Sequence, residues 1–149
     1  MLIGKLEDVK DKFGYFFHEG DEFQQNLNEF EDDTDLQFID KLKVMLLYDY
    51  NEAEEKNDFG ALIKTTYDCL IFFAVRSSFT QPGGLYRYNK YTKDCRQEFK
   101  KVEAEFNLCN AWEFKINKVN KKLNQLDTNL DGIMISCNIE YNHNYDSLL

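Results

Sequence analysis

At 149 residues, 43% of them hydrophobic and 22 of them Phe or Tyr, the chain is long and apolar enough to close one substantial core, and it reads as a single domain over 1–149. Its formal net charge of −9 argues against a polyanion such as nucleic acid as the partner. Charges at Lys5, Glu7, Asp8 and Lys10 break any signal-like apolar stretch, and the longest apolar run, Cys69 to Val75, falls far short of the ~20 residues that span a bilayer, so no membrane role and a cytoplasmic location are expected.

Leu2, Leu6, Val9, Phe13, Phe16 and Phe17 recur at helical spacing and predict an amphipathic helix over about 3–17, with Gly14 as its weak point and Gly20 as its end. The next stretch is the most unusual. From Phe13 to Asp40 there are nine carboxylates and no Lys or Arg, so these 28 residues carry the whole net charge. Phe23, Leu27 and Phe30 could pin a short helix within 19–33, leaving the carboxylates outward.

Thr34 with Gln37 has the form of a capping box and predicts a helix over about 35–55. A second cap at Asn57 or Asp58 opens another that runs to Phe79; its CLIFFAV centre is apolar around the whole circumference, as in a buried central helix. Gln81-Pro82-Gly83-Gly84 stops it. The series Phe99, Val102, Phe106, Cys109, Trp112, Ile116, Val119, Leu123, Leu126 steps by three and four, which predicts one long helix near 92–125 capped at Thr92. Ile133, Ile135, Cys137, Ile139 and Tyr141 then alternate with period two, a strand pairing upstream through an Asp131-Gly132 turn, with Leu130 facing Ile133, Thr128 facing Ile135 and Leu126 facing Cys137. The fold expected is mainly α: a bundle of about four to five helices with a small C-terminal β-hairpin.

Cys69, Cys95, Cys109 and Cys137 form no CxxC pair, and His18 and His143 do not complete a zinc pattern, so four free thiols in a reducing compartment are expected. Asp127, Asn129 and Asp131, followed by Gly132, match the first half of an EF-hand loop. The twelfth position is Asn138 where a bidentate Glu is needed, so a hairpin is favoured over calcium and no metal or cofactor is assigned. Arg76-Ser-Ser-Phe-Thr-Gln81 at the end of the apolar helix resembles the Arg-x(4-6)-His segment of the HEPN helical domains, many of which are RNases or nucleotide-binding modules. Gln81 stands at the family's His position, so the resemblance implies a phosphate contact at Arg76 without the proton-transfer partner, a degenerate helical domain lacking nuclease activity. The plainer reading places Arg76 at the negative end of a helix dipole.

Between Arg87 and Lys122 ten cations face five acids, and Arg87, Lys90, Lys93 and Arg96 alternate with Tyr86, Tyr88 and Tyr91, so this region could meet phosphates or an acidic partner, its own acidic block included. No catalytic signature is present, and the chain is read as no enzyme. The expected function is an acidic protein-binding module, such as an immunity or inhibitor protein. Glu19, Asp21, Glu22, Phe23, Glu29, Phe30, Glu31, Asp32, Asp33 and Asp35 would dock a basic partner, with Tyr50 as a further anchor. The alternative is a structural subunit of a larger assembly, viral or a multiprotein ring, in which the acidic block of one copy meets the basic region of the next, so a homo-oligomer stays open.

Overall fold

The computed structural model describes residues 1–19, 43–76, 92–125 and 130–144. Its elements are α1 (Leu2–Phe13), β1 (Phe16–Glu19), β2 (Lys43–Lys56), β3 (Leu62–Arg76), α2 (Lys93–Asn107), β4 (Trp112–Gln125) and β5 (Leu130–Asn142). The strands form one sheet in the order β1-β2-β3-β5-β4. β1 runs parallel to β2, and every other neighbouring pair is antiparallel. The expected helical bundle is therefore corrected to a five-stranded mixed sheet with two helices among the described residues.

The expected first helix survives but stops early. Leu2, Leu6 and Val9 form its buried stripe, and Gly14 takes a left-handed φ of 74° while its N–H donates to the Lys10 carbonyl at 2.8 Å. A residue with a Cβ resists that conformation, so the helix ends there, and Phe16 and Phe17 pass into β1. The helix expected over 35–55 is, from Lys43 onward, β2; its Thr34 and Gln37 cap and the segment anchored by Phe23, Leu27 and Phe30 lie outside the described residues.

The apolar run read as a central helix is β3. Ile71, Phe73 and Val75 join the core beneath the helices, whereas Phe72 and Ala74 join Val44 and Leu46 in a second cluster on the opposite face. A strand buried on both faces and a fully buried helix leave the same continuous apolar run, so periodicity could not separate them. Arg76 therefore closes a strand, opposite Leu130, and the helical setting implied by the HEPN resemblance is absent.

The long helix expected over 92–125 divides in two. α2 starts after Thr92 as expected, although the Thr92 hydroxyl makes no capping bond. It stops at Asn107, whose Oδ1 accepts the Phe114 N–H at 2.9 Å, and the chain turns back into β4. From Trp112 the exposed residues Glu113 and Lys115 alternate with Trp112, Phe114 and Ile116, which pack on the core. The last strand is present as expected and its partner is indeed upstream, but the hairpin register differs. Ile133 faces Lys121, Ile135 faces Val119, Cys137 faces Ile116, and Asp131-Gly132 lies inside the ladder rather than in a turn.

Both helices pack on one face of the sheet. Phe99 of α2 lies 5.4 Å from the Phe73 ring and 5.8 Å from Phe114, and Phe106 lies 5.1 Å from Phe114 and 5.5 Å from Trp112. Burying each such ring stabilises by roughly 2–3 kcal/mol. Tyr15, just after α1, packs edge-on against Phe73 and donates its hydroxyl to Glu98 Oε1 at 2.9 Å. Burial raises the Glu98 carboxyl, but hydrogen bonds from Lys101 and Tyr15 outweigh it, and the group stays below its ordinary value. Lys12 Nζ meets Glu105 Oε2 at 2.7 Å and joins the two helices at the surface.

One close approach restricts the sheet centre. A Cβ on Gly132 would lie 2.1 Å from the Phe73 carbonyl oxygen and 2.5 Å from the Ala74 Cα, both belonging to the central strand. Gly132→Ala should lower stability by about 3 kcal/mol. A shifted urea midpoint checks this, and an unchanged one would mean that β3 and β5 part at no cost.

Candidate functional site

Four-residue β1 covers only the first part of β2, pairing Phe16 to Glu19 with Val44 to Leu47. The β2–β3 register then slips between Leu47 and Asp49, and past that bulge β2 has no outer neighbour among the described residues. Residues 49–61 are all exposed. They hold five carboxylates, Asp49, Glu52, Glu54, Glu55 and Asp58, against one lysine, Lys56. The result is an open sheet edge of net charge −4. Glu19, exposed at the end of β1 opposite Leu47, adds a sixth carboxylate where this edge begins.

Asn, Glu, Ala and Lys do not favour strands, so this segment is held by its partner. Glu52 faces Tyr67, Ala53 faces Thr66, Glu54 faces Thr65 and Glu55 faces Lys64, which gives β-branched, aromatic or oppositely charged neighbours at each step. The turn is fixed by Asn57, whose Oδ1 accepts the N–H groups of Phe59 and Ala61, each at 2.9 Å. Its own N–H donates to the Ala61 carbonyl at 2.9 Å, and Gly60, at φ 82°, donates to the Asn57 carbonyl at 3.0 Å. Asn57 thus does satisfy N–H groups, as the capping reading required, but those of a hairpin turn. The turn presents Phe59 at 96% exposure.

At the root of the hairpin, beside the start of α1, an alcove of ≈160 Å³ is lined by Met1, Leu2, Ile3, Tyr50, Glu52, Glu54, Leu62, Thr65, Tyr67 and His143. Thr65 Oγ1 and His143 Nε2 share a hydrogen bond of 2.7 Å. That spacing suits a nucleophile and base, yet Thr65 is buried, at 2% exposure. Burial and then the Glu52 charge push the Tyr67 phenol up to about 12.

The residues expected to bind are distributed unevenly. Asp21, Glu22, Phe23, Glu29, Phe30, Glu31, Asp32, Asp33 and Asp35 lie outside the described residues, as do Arg87, Lys90, Asp127 and Asn129. Lys93 and Arg96 are exposed on the first turn of α2, and Asp131 sits within β5 opposite Val75. Tyr50, expected as an anchor, is 37% exposed beside the bulge. Among the described residues no cluster of His, Cys, Asp and Glu is placed to hold a metal, and no helix is long and apolar enough to cross a membrane. On the far side of the sheet β4 is the other edge strand, with Lys115, Lys118 and Lys121 exposed along it. The acidic edge was missed in the sequence because its Glu and Ala content reads as helix; the Asn57-Asp58-Phe59-Gly60 turn was the available signal.

Compared with protein-family models, with curated proteins and with solved structures, the chain matches none.

The Tyr67 environment makes stability depend on pH in a defined window. Its phenol ionises at 10.0 in a free chain but near 12 when folded, so the unfolded state loses the proton first. This contribution is intact below pH 10 and declines as pH rises toward 12. Urea midpoints across that window should fall more steeply for the parent protein than for Tyr67→Phe, and parallel slopes would refute the assignment.

Proposed function

We propose that this chain is a non-enzymatic acidic protein-binding module, of the kind an immunity or inhibitor protein represents, and that it docks a basic partner along the open outer edge of β2. The observation that carries this reading is the coincidence of three features in one hairpin: a strand edge with no outer neighbour among the described residues, net charge −4 and an aromatic ring at 96% exposure. An extended basic segment can add to the edge through main-chain hydrogen bonds, while the carboxylates speed encounter and Phe59 enters an apolar recess. Glu19, the first carboxylate of the acidic stretch between Phe13 and Asp40, stands where the open edge begins.

A second reading draws support from the opposite edge. Lysines on β4 and carboxylates on β2 belong to the two sides of one sheet, so a second copy presents a complementary edge, and head-to-tail association would make the chain a structural subunit. Sedimentation at low and high salt separates the two. Oligomers that dissolve in salt support the assembly, and a monomer at both concentrations eliminates it.

For the docking reading, Phe59→Ala should leave folding stability within about 0.5 kcal/mol, because the ring packs on nothing. It should raise the dissociation rate of the captured basic partner roughly 30-fold, the effect of losing an anchor worth about 2 kcal/mol. Replacing Glu52, Glu54 and Glu55 together by Gln should slow association about tenfold at low salt and flatten its salt dependence. If neither substitution changes the kinetics, the hairpin is not the docking surface.

A further inference from the structure

We propose that Cys69 and Cys137 form a modification site, a cross-strand thiol pair that hydrogen peroxide closes into a disulfide inside the folded sheet. Cys69 on β3 and Cys137 on β5 are direct register partners in an antiparallel ladder. Such partners have Cα atoms roughly 4.5–5.5 Å apart, within the roughly 4.4–6.8 Å that a disulfide spans. Both side chains point into the core beneath the helices, at 5% and 1% exposure. Register and burial thus place the two thiols side by side, and Cys69 is the neighbour that most influences the Cys137 thiol. The bond would need no strand to move to another register.

The surroundings define the oxidant. The contact with Cys69, and then burial, push the Cys137 thiol well above its ordinary value, so thiolate is scarce and the reaction slow. At 5% and 1% exposure the thiols favour a small oxidant over a bulky disulfide reagent, and peroxide is about the size of two waters. The first thiol, as thiolate, attacks one peroxide oxygen, the O–O bond breaks, and sulfenic acid and hydroxide result. The second sulfur then attacks the sulfenic sulfur, the S–S bond forms and water leaves. Overall two thiols and one peroxide give a disulfide and two waters. Cys95 lies on α2 and Cys109 is exposed after it, both outside the strand ladders, and they serve as internal controls.

The bond would also act at the base of the acidic hairpin. Cys69 faces Tyr50 on its other side, close to the bulge from which the open edge extends. Closure would therefore tie the strand supporting that edge to β5. The proposal stands independently of what the edge binds.

The test uses the unaltered protein, treated with peroxide while folded, then unfolded, alkylated, cut with trypsin and weighed. The expected product is the Thr65–Arg76 peptide linked to the peptide containing Cys137, two hydrogens lighter than the reduced pair, with Cys95 fully alkylated. The melting temperature of the oxidised protein should rise by roughly 10 °C, because the bond closes a long loop in the unfolded chain. Full alkylation of Cys69 and Cys137 after exhaustive treatment overturns the proposal. So does recovery of both only as sulfinic acids, or linkage to Cys95 or Cys109 in equal yield. A lowered melting temperature overturns the claim that the native sheet accommodates the bond.

Discussion

The contact on which the structure depends is the run of aromatic rings between α2 and the sheet. From Tyr15 through Phe73, Phe99, Phe114, Phe106 and Trp112 to Tyr141, successive rings lie within 5.8 Å of one another. The run draws on the segment after α1, on β3, α2, β4 and β5, so most of the fold is joined by one set of packed quadrupoles. Aromatic pairs add roughly 0.5–1.5 kcal/mol each beyond the area they bury, and they prefer tilted geometry, which restricts how the helix can slide. Because α2 covers this face, apolar demand on the sheet is met there, and residues farther out along β2 are free to be polar.

Charge follows from that arrangement. Strands at the middle of a sheet are hydrogen-bonded on both sides, but among the described residues β4 and the outer part of β2 are not, and exposed edges invite unwanted pairing. Lysines on one edge and carboxylates on the other oppose pairing between like edges while permitting it between unlike ones. Among the described residues charge is thus polarised across the width of the sheet, with lysines along β4 and carboxylates along the outer part of β2. Lys64, opposite Glu55 and 3.5 Å from Glu140, is the cation placed among the carboxylates on the intervening strands.

What could be read from the sequence was local. The stripe of α1, the start of α2 after Thr92 and the alternation of β5 were all visible, because each has one buried face and a period that only one element produces. The errors came where tertiary context decides. From Leu70 to Val75 β3 is apolar on both faces, so that run carries no period. The exposed part of β2 is written in Glu, Ala and Lys, and cross-strand neighbours override their helical preference. Between Phe106 and Trp112 no Gly or Pro marks the change from helix to strand; the stop is an asparagine side chain bonded to a residue seven positions on. The acidity was legible as charge, but the particular carboxylates along the outer part of β2 became apparent only once β2 was seen to outrun β1.

The two-sided burial of β3 sets apart what this protein can and cannot change through descent. Every position from Ile71 to Val75 is enclosed, so drift there meets resistance from both faces of the sheet. Residues 49–61 are exposed, so apart from Asn57 and Gly60, which fix the turn, a change there disturbs no core packing. Substitutions can accumulate on the outward side chains of the hairpin while the scaffold that carries it stays constant. Sequence drift would then concentrate along one strand, at little cost to the fold.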